Sequence, residues 1–156
     1  MSIVQLARDA LQTVAAPAQL DVSSGRQRLI SALDAVDSLA VGFTSFTLET
    51  DGLSAATPEE LKRLGEKLSA RLTYLLEPIS PIEIDHEQCV LQMRSTPPQR
   101  DDDQTTYYEV VLRRGGAISL CRYSKTPGDV RQVIPATVTR EVFLRLAADF
   151  AAVAPG

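Results

Sequence analysis

The chain opens with apolar residues at helical spacing. Ile3, Leu6, Ala7, Ala10, Leu11 and Val14 share one face of a helix over about residues 2 to 15, and Pro17 ends it. Ser23 or Ser24 can cap a second helix whose stripe is Ile30, Leu33, Val36 and Leu39 or Ala40. Val41 to Thr50, rich in threonine and phenylalanine, predicts a strand that ends at Asp51-Gly52, although Phe43 and Phe46 fall on opposite faces of it. Thr57-Pro58-Glu59-Glu60 then combines an N-cap threonine, proline at N1 and glutamate at N3. Leu61, Leu64, Leu68, Leu72, Leu75 and Leu76 line the helix begun there. Ile82 and Ile84 alternate with Glu83 and Asp85, and Cys89, Leu91 and Met93 alternate with Val90, Gln92 and Arg94. Pro97-Pro98 stops the second of these strands, and Gln99 to Gln104 reads as an exposed acidic loop. Gln132 to Ile134 reads as a short edge strand blocked by Pro135. Thr139 caps a last helix with Phe143, Leu146, Ala147, Phe150 and Val153 facing inward.

The strongest β signal is Tyr107 to Tyr123, where two runs of β-branched and aromatic residues flank Gly115-Gly116. Such a pair takes positive φ without steric cost and suits a two-residue hairpin turn. With Arg114 facing Ala117, the first face carries Leu112 by Ser119, Val110 by Cys121 and Tyr108 by Tyr123. The second carries Arg113 by Ile118, Val111 by Leu120 and Glu109 by Arg122, an opposite-charge pair that favours this register over a one-residue slip. The helices are expected on the first face, together with Leu91 and Met93.

These elements predict a single α+β domain over residues 1–156. Residues 1–40 form its helical N-terminal segment, and the body, residues 41–156, runs strand, helix, meander, helix. The sheet is an antiparallel meander of about four to five strands with amphipathic helices on at least one face. The length of 156 residues suits one domain with a genuine core.

Charge narrows the partners. A net charge of −4 gives no basic footprint for nucleic acid. Only Lys62, Lys67 and Lys125 are lysines among 16 basic residues, so arginine dominates the cations. Cys89 and Cys121 lie in apolar runs outside any C-x-x-C, the pattern of reduced buried thiols in a cytoplasmic protein. No run reaches the length of a membrane span, and the N-terminus lacks a secretory pattern.

Candidate chemistry is thin. His86 is the one histidine, and H-x-x-C with Asp85 and Glu87 beside it matches no metal spacing. A calcium loop started at Asp101 would place Thr106 and Leu112 where glycine and glutamate are required. Glu77, Glu83, Asp85 and Glu87 crowd one stretch without the opposed geometry of an acid–base pair. No cofactor, metal or catalytic motif emerges, and none identifies a family. Small acidic α+β chaperones that bind secretion substrates share this size and a pI near 5.0, an analogy of class only.

The expectation is therefore a non-enzymatic, adaptor- or chaperone-like module that binds a protein partner or itself, as a homodimer. Its surface would be the second face: Val90, Val111, Ile118 and Leu120 at the centre, rimmed by Arg94, Glu109, Arg113 and Arg122. Leu120→Glu would then leave the fold intact. A helix of the same chain covering that face is the equal alternative. The other functional class is a binder of, or enzyme for, a small anionic ligand held by Arg94, Arg113 and Arg122.

Overall fold

A computed structural model describes residues 1–155. The described residues are α+β: a ten-stranded antiparallel open sheet with three α-helices, larger than the four to five strands expected. The helices are α1 (Ile3–Thr13), α2 (Pro58–Arg71) and α3 (Arg140–Val153). The strands are β1 (Ala18–Ser24), β2 (Gln27–Val36), β3 (Ala40–Thr50), β4 (Ile79–Asp85), β5 (Val90–Ser95), β6 (Gln99–Asp101), β7 (Gln104–Arg113), β8 (Ala117–Lys125), β9 (Gln132–Ile134) and β10 (Ala136–Thr139). The main order is β1-β2-β3-β8-β7-β5-β4. No helix is long and apolar enough to cross a membrane among the described residues.

Several strands come from segments that read otherwise. The expected second helix is the β1–β2 hairpin, in which Ser24 pairs with Gln27 around Gly25 at φ 59° and Arg26. Glycine at the first central position lets so tight a turn match strand twist. Leu29, Ser31 and Leu33 are buried at period two, so sheet burial overrides the three-residue spacing of Ile30, Leu33 and Val36. The acidic loop likewise folds back as β6 on β7, with Asp102 at φ 52° in its turn, a conformation aspartate tolerates. Gln132–Ile134 is the short strand β9, paired on one side only, as an edge strand is. β9 pairs with β8 and β10 with β3, so Pro135 sits where the chain crosses between two strands that diverge.

The hairpin exists, but its register differs by one residue. Arg113 faces Ala117, Leu112 faces Ile118, Val110 faces Leu120 and Glu109 faces Cys121. The connection is the three residues Arg114-Gly115-Gly116, pinned by its neighbours. The Arg114 N–H donates to Cys89 O at 3.0 Å, and Gly116 O accepts from Thr50 N at 2.8 Å. A Cβ on Gly116 would lie 2.7 Å from Thr50 O, so glycine is required by close approach as well as by φ 107°. Magnitudes favour this outcome. Turning Ile118 and Leu120 inward gains about 2 kcal/mol each, whereas an exposed cross-strand ion pair contributes roughly 0.2–1 kcal/mol. Glu109 and Arg122 therefore lie on opposite faces, and no pair forms between them.

All three helices pack on one face. Phe46 of β3 meets Phe143 and Phe150 of α3 edge-on, each at 5.2 Å between centroids. Gly65 of α2 lies so close to β5 that a Cβ there would be 2.4 Å from Leu91 Cδ2. Irregular pairing between β2 and β3 around Leu33 and Phe43 turns Phe43 and Phe46 to the same side, where both are buried. The α2 cap is as read, Thr57 Oγ1 accepting from Glu60 N at 3.2 Å. Leu91, Met93, Tyr108, Val110 and Leu112 face the helices as expected, while Cys121 and Tyr123 turn to the other side.

Candidate functional site

The opposite face of the seven-strand path carries no helix among the described residues. Its rows follow from the register: Arg28, Ile30 and Ala32 on β2, and Glu49, Thr47 and Ser45 on β3. They continue as Ala117, Ser119, Cys121 and Tyr123 on β8, and Arg113, Val111, Glu109 and Tyr107 on β7. Val90, Gln92 and Arg94 on β5 complete them. Of the eight residues expected on one face, Val90, Arg94, Glu109, Val111 and Arg113 are brought together here. Ile118 and Leu120 are not. Both are fully buried under the helices. Arg122 is also on the helix side, its guanidinium 4.6 Å over the Tyr108 ring and its Nη2 donating to Thr106 Oγ1 at 2.9 Å.

Glu109 organises one end of the open face. Its side chain is only 4% exposed, yet it carries a carboxylate. Arg131, from the segment after β8, donates to Glu109 Oε2 at 2.5 Å and to Oε1 at 3.3 Å. Arg94 Nη2 donates to Oε2 at 3.3 Å. Burial pushes the Glu109 acid up, but the donors Arg131, Gln92 and Arg94 outweigh it and hold the carboxyl below its ordinary value. The arginines also stack. Arg94 lies 4.4 Å over Tyr107 and Arg131 3.8 Å over Tyr123, while the two tyrosine rings sit 5.9 Å apart. The result is an alternating arginine–tyrosine array keyed to one carboxylate. Sequence reasoning misses Arg131 because it lies beyond the hairpin in the connection to β9, and no periodicity marks it.

The arrangement does not resemble a nucleophile site. Burial raises the Cys121 thiol, so it stays protonated near neutral pH, and no histidine adjoins it. Cys89 is buried, its thiol donating to Ala56 O at 3.3 Å. The arginines expected to hold an anion are scattered. Arg113 lines a shallow groove with Glu83 and Asp85, whose carboxylates offset its charge. Arg122 is on the far side of the sheet. Glu77 is buried and accepts from Gln99 Nε2 at 2.9 Å, away from Glu83 and Asp85.

His86 lies in the exposed β4–β5 turn, and no group of three or more potential metal ligands gathers among the described residues. His86→Ala is therefore expected to change stability by less than about 0.5 kcal/mol. Thermal melts with metal analysis check this. A stoichiometric metal that vanishes with the substitution would contradict it.

In class, the chain is an α+β protein with a one-sided helical layer and an open sheet face bearing an arginine–tyrosine–glutamate cluster. No known protein family matches it, and neither a curated protein nor a solved structure is similar to it.

Proposed function

We propose that the chain is a non-catalytic protein-interaction module that docks through the helix-free face of its sheet, with a second copy as its simplest partner. The observation that carries this reading is the locked array of Arg94, Tyr107, Tyr123 and Arg131 around Glu109 on that face. Arginine and tyrosine dominate interface hot spots, and side chains already fixed lose little entropy on docking. The centre of the face is small and flat: Thr47, Ser119, Ala117 and Val111 are half-buried by their own neighbours. Seven strands about 4.8 Å apart span roughly 30 Å, enough for the ~800 Å² per partner of a stable interface.

Val111→Arg tests it. Val111 lies between Gln92 and Ser119 on the open face, so a long cation there reaches water and leaves the fold intact. The expected result is a wild-type dimer by light scattering and a variant of half that mass with an unchanged circular dichroism spectrum. A monomeric wild type, or a variant that stays dimeric, ends the reading.

A further inference from the structure

The open face ends in a cleft of about 610 Å³, within the range of small-ligand sites. Tyr107 and Arg94 of the array line it, joined by Arg131, Lys125 and Asp129 from the other side. Ile82, Pro98 and Val130 supply apolar wall, and Val130 is 85% exposed. The cleft shares Arg94, Tyr107 and Arg131 with the array that carries the interface reading, but Ile82, Pro98, Lys125, Asp129 and Val130 lie outside that array, so a ligand held there goes beyond that reading.

We propose that this cleft binds the carboxyl-terminal end of a short peptide whose last residue is aliphatic. Charge decides between anions. Three lining cations stand against Asp129 and the underlying Glu109, leaving about one positive charge, which matches a carboxylate better than a phosphate dianion. Donors remain for it. Lys125 Nζ donates to Thr126 O and Asp129 O and has a third donor. The Arg94 side chain is 34% exposed, and its Nη2 alone bonds Glu109. Arg131 gives both Nη atoms to Glu109, so its part at the cleft is charge. Ile82, Pro98 and Val130 then take an aliphatic side chain.

The position of the cleft argues for a peptide rather than a free acid. Ile82 belongs to β4, the last strand of the sheet, so a chain entering there meets backbone along a free edge. Pro81 and the irregular pairing between Pro81 and Glu83 make that edge too uneven to add a full strand. A short terminal segment fits.

Calorimetric titration of the whole chain tests this with acetyl-Ala-Ala-Leu bearing a free carboxylate, its carboxamide, 4-methylpentanoate and inorganic phosphate. The carboxylate peptide should bind, and the carboxamide should bind about tenfold more weakly or not at all. Lys125→Met and Val130→Asp, both at exposed positions, should each weaken the peptide about tenfold while circular dichroism stays unchanged. The proposal is overturned if the peptide does not bind, if the carboxamide matches it, or if phosphate binds more tightly. Equal affinity for 4-methylpentanoate would overturn the peptide assignment in favour of free aliphatic acids. Val111→Arg should not weaken this titration, which separates it from failure of the interface reading; loss of peptide binding in that variant would place the ligand on the central face and overturn the cleft.

Discussion

Leu120→Glu is expected to abolish cooperative folding. Leu120 has no exposed surface, pairs with Val110 on one side and Phe46 on the other, and belongs to the core beneath the helices. Phe46 in turn contacts Phe143 and Phe150, so the substitution strikes the junction of β3, β8 and α3. Removing the leucine forfeits about 2–3 kcal/mol of burial, and an unpaired buried carboxylate costs several kcal/mol more. Together these rival the ~5–15 kcal/mol that holds a typical domain folded. A flat far-ultraviolet melt and a collapsed spectrum are the expected signs. A folded Leu120→Glu protein with wild-type melting would mean that Leu120 is not in the core and that the hairpin has the other register.

The reason Leu120 is legible as a strand residue, but not as a core residue, is specific. The sequence between Tyr107 and Tyr123 marks a hairpin through its glycines and β-branched runs. It does not mark whether two or three residues make the turn. The cross-strand charge match of Glu109 with Arg122 favours the shorter one. That local term is outweighed by the burial of Ile118 and Leu120 and by long-range bonds from the turn to Thr50 and Cys89. Because strand side chains alternate, one residue exchanges Leu120 for Cys121 on the inner face.

The helices show the complementary case. Local chemistry is decisive for α2 and α3, whose threonine caps accept from Glu60 N and Val142 N as their spacing implies. It misleads at residues 23–40. Apolar residues three apart suit a helix, but this segment also carries period-two burial at Leu29, Ser31 and Leu33. Only the partner strands β1 and β3 decide between the two. The candidate site is legible in the same partial way. Arg94, Glu109, Val90, Val111 and Arg113 are on one face because β5 and β7 alternate as read. Arg131 and Tyr123 join them only through the true register and the return of the chain after β8.

Glu109→Gln is expected to cost about 2 kcal/mol at neutral pH, the scale of hydrogen bonds to a charged group. The variant keeps the shape of the side chain but leaves Arg94 and Arg131 without their counter-charge. Both arginines are about a third exposed, at 34% and 36%, so water recovers part of the loss and keeps it below that of a fully buried pair. The pH dependence carries the sharper signature. Burial raises the acid, the three donors lower it by more, and the folded carboxyl titrates below its ordinary 4.5. In that window the unfolded chain binds more protons than the folded one, so stability falls as pH falls. The Glu109 contribution is thus complete above its unfolded value and disappears as the pH drops through the folded one. Asp21, lowered by the hydrogen bond from Arg28, and Asp37, lowered by the backbone N–H groups of Leu39 and Ala40, titrate in both proteins and cancel in the difference. Urea denaturation of wild type and variant should therefore show a gap that is constant at neutral pH and narrows through the acid limb. Freed from Glu109, the Asp129–Arg131 segment should also exchange its amide hydrogens faster in the variant. A gap that stays constant into strong acid, or a variant as stable as wild type, would mean that Glu109 does not hold the two arginines in place.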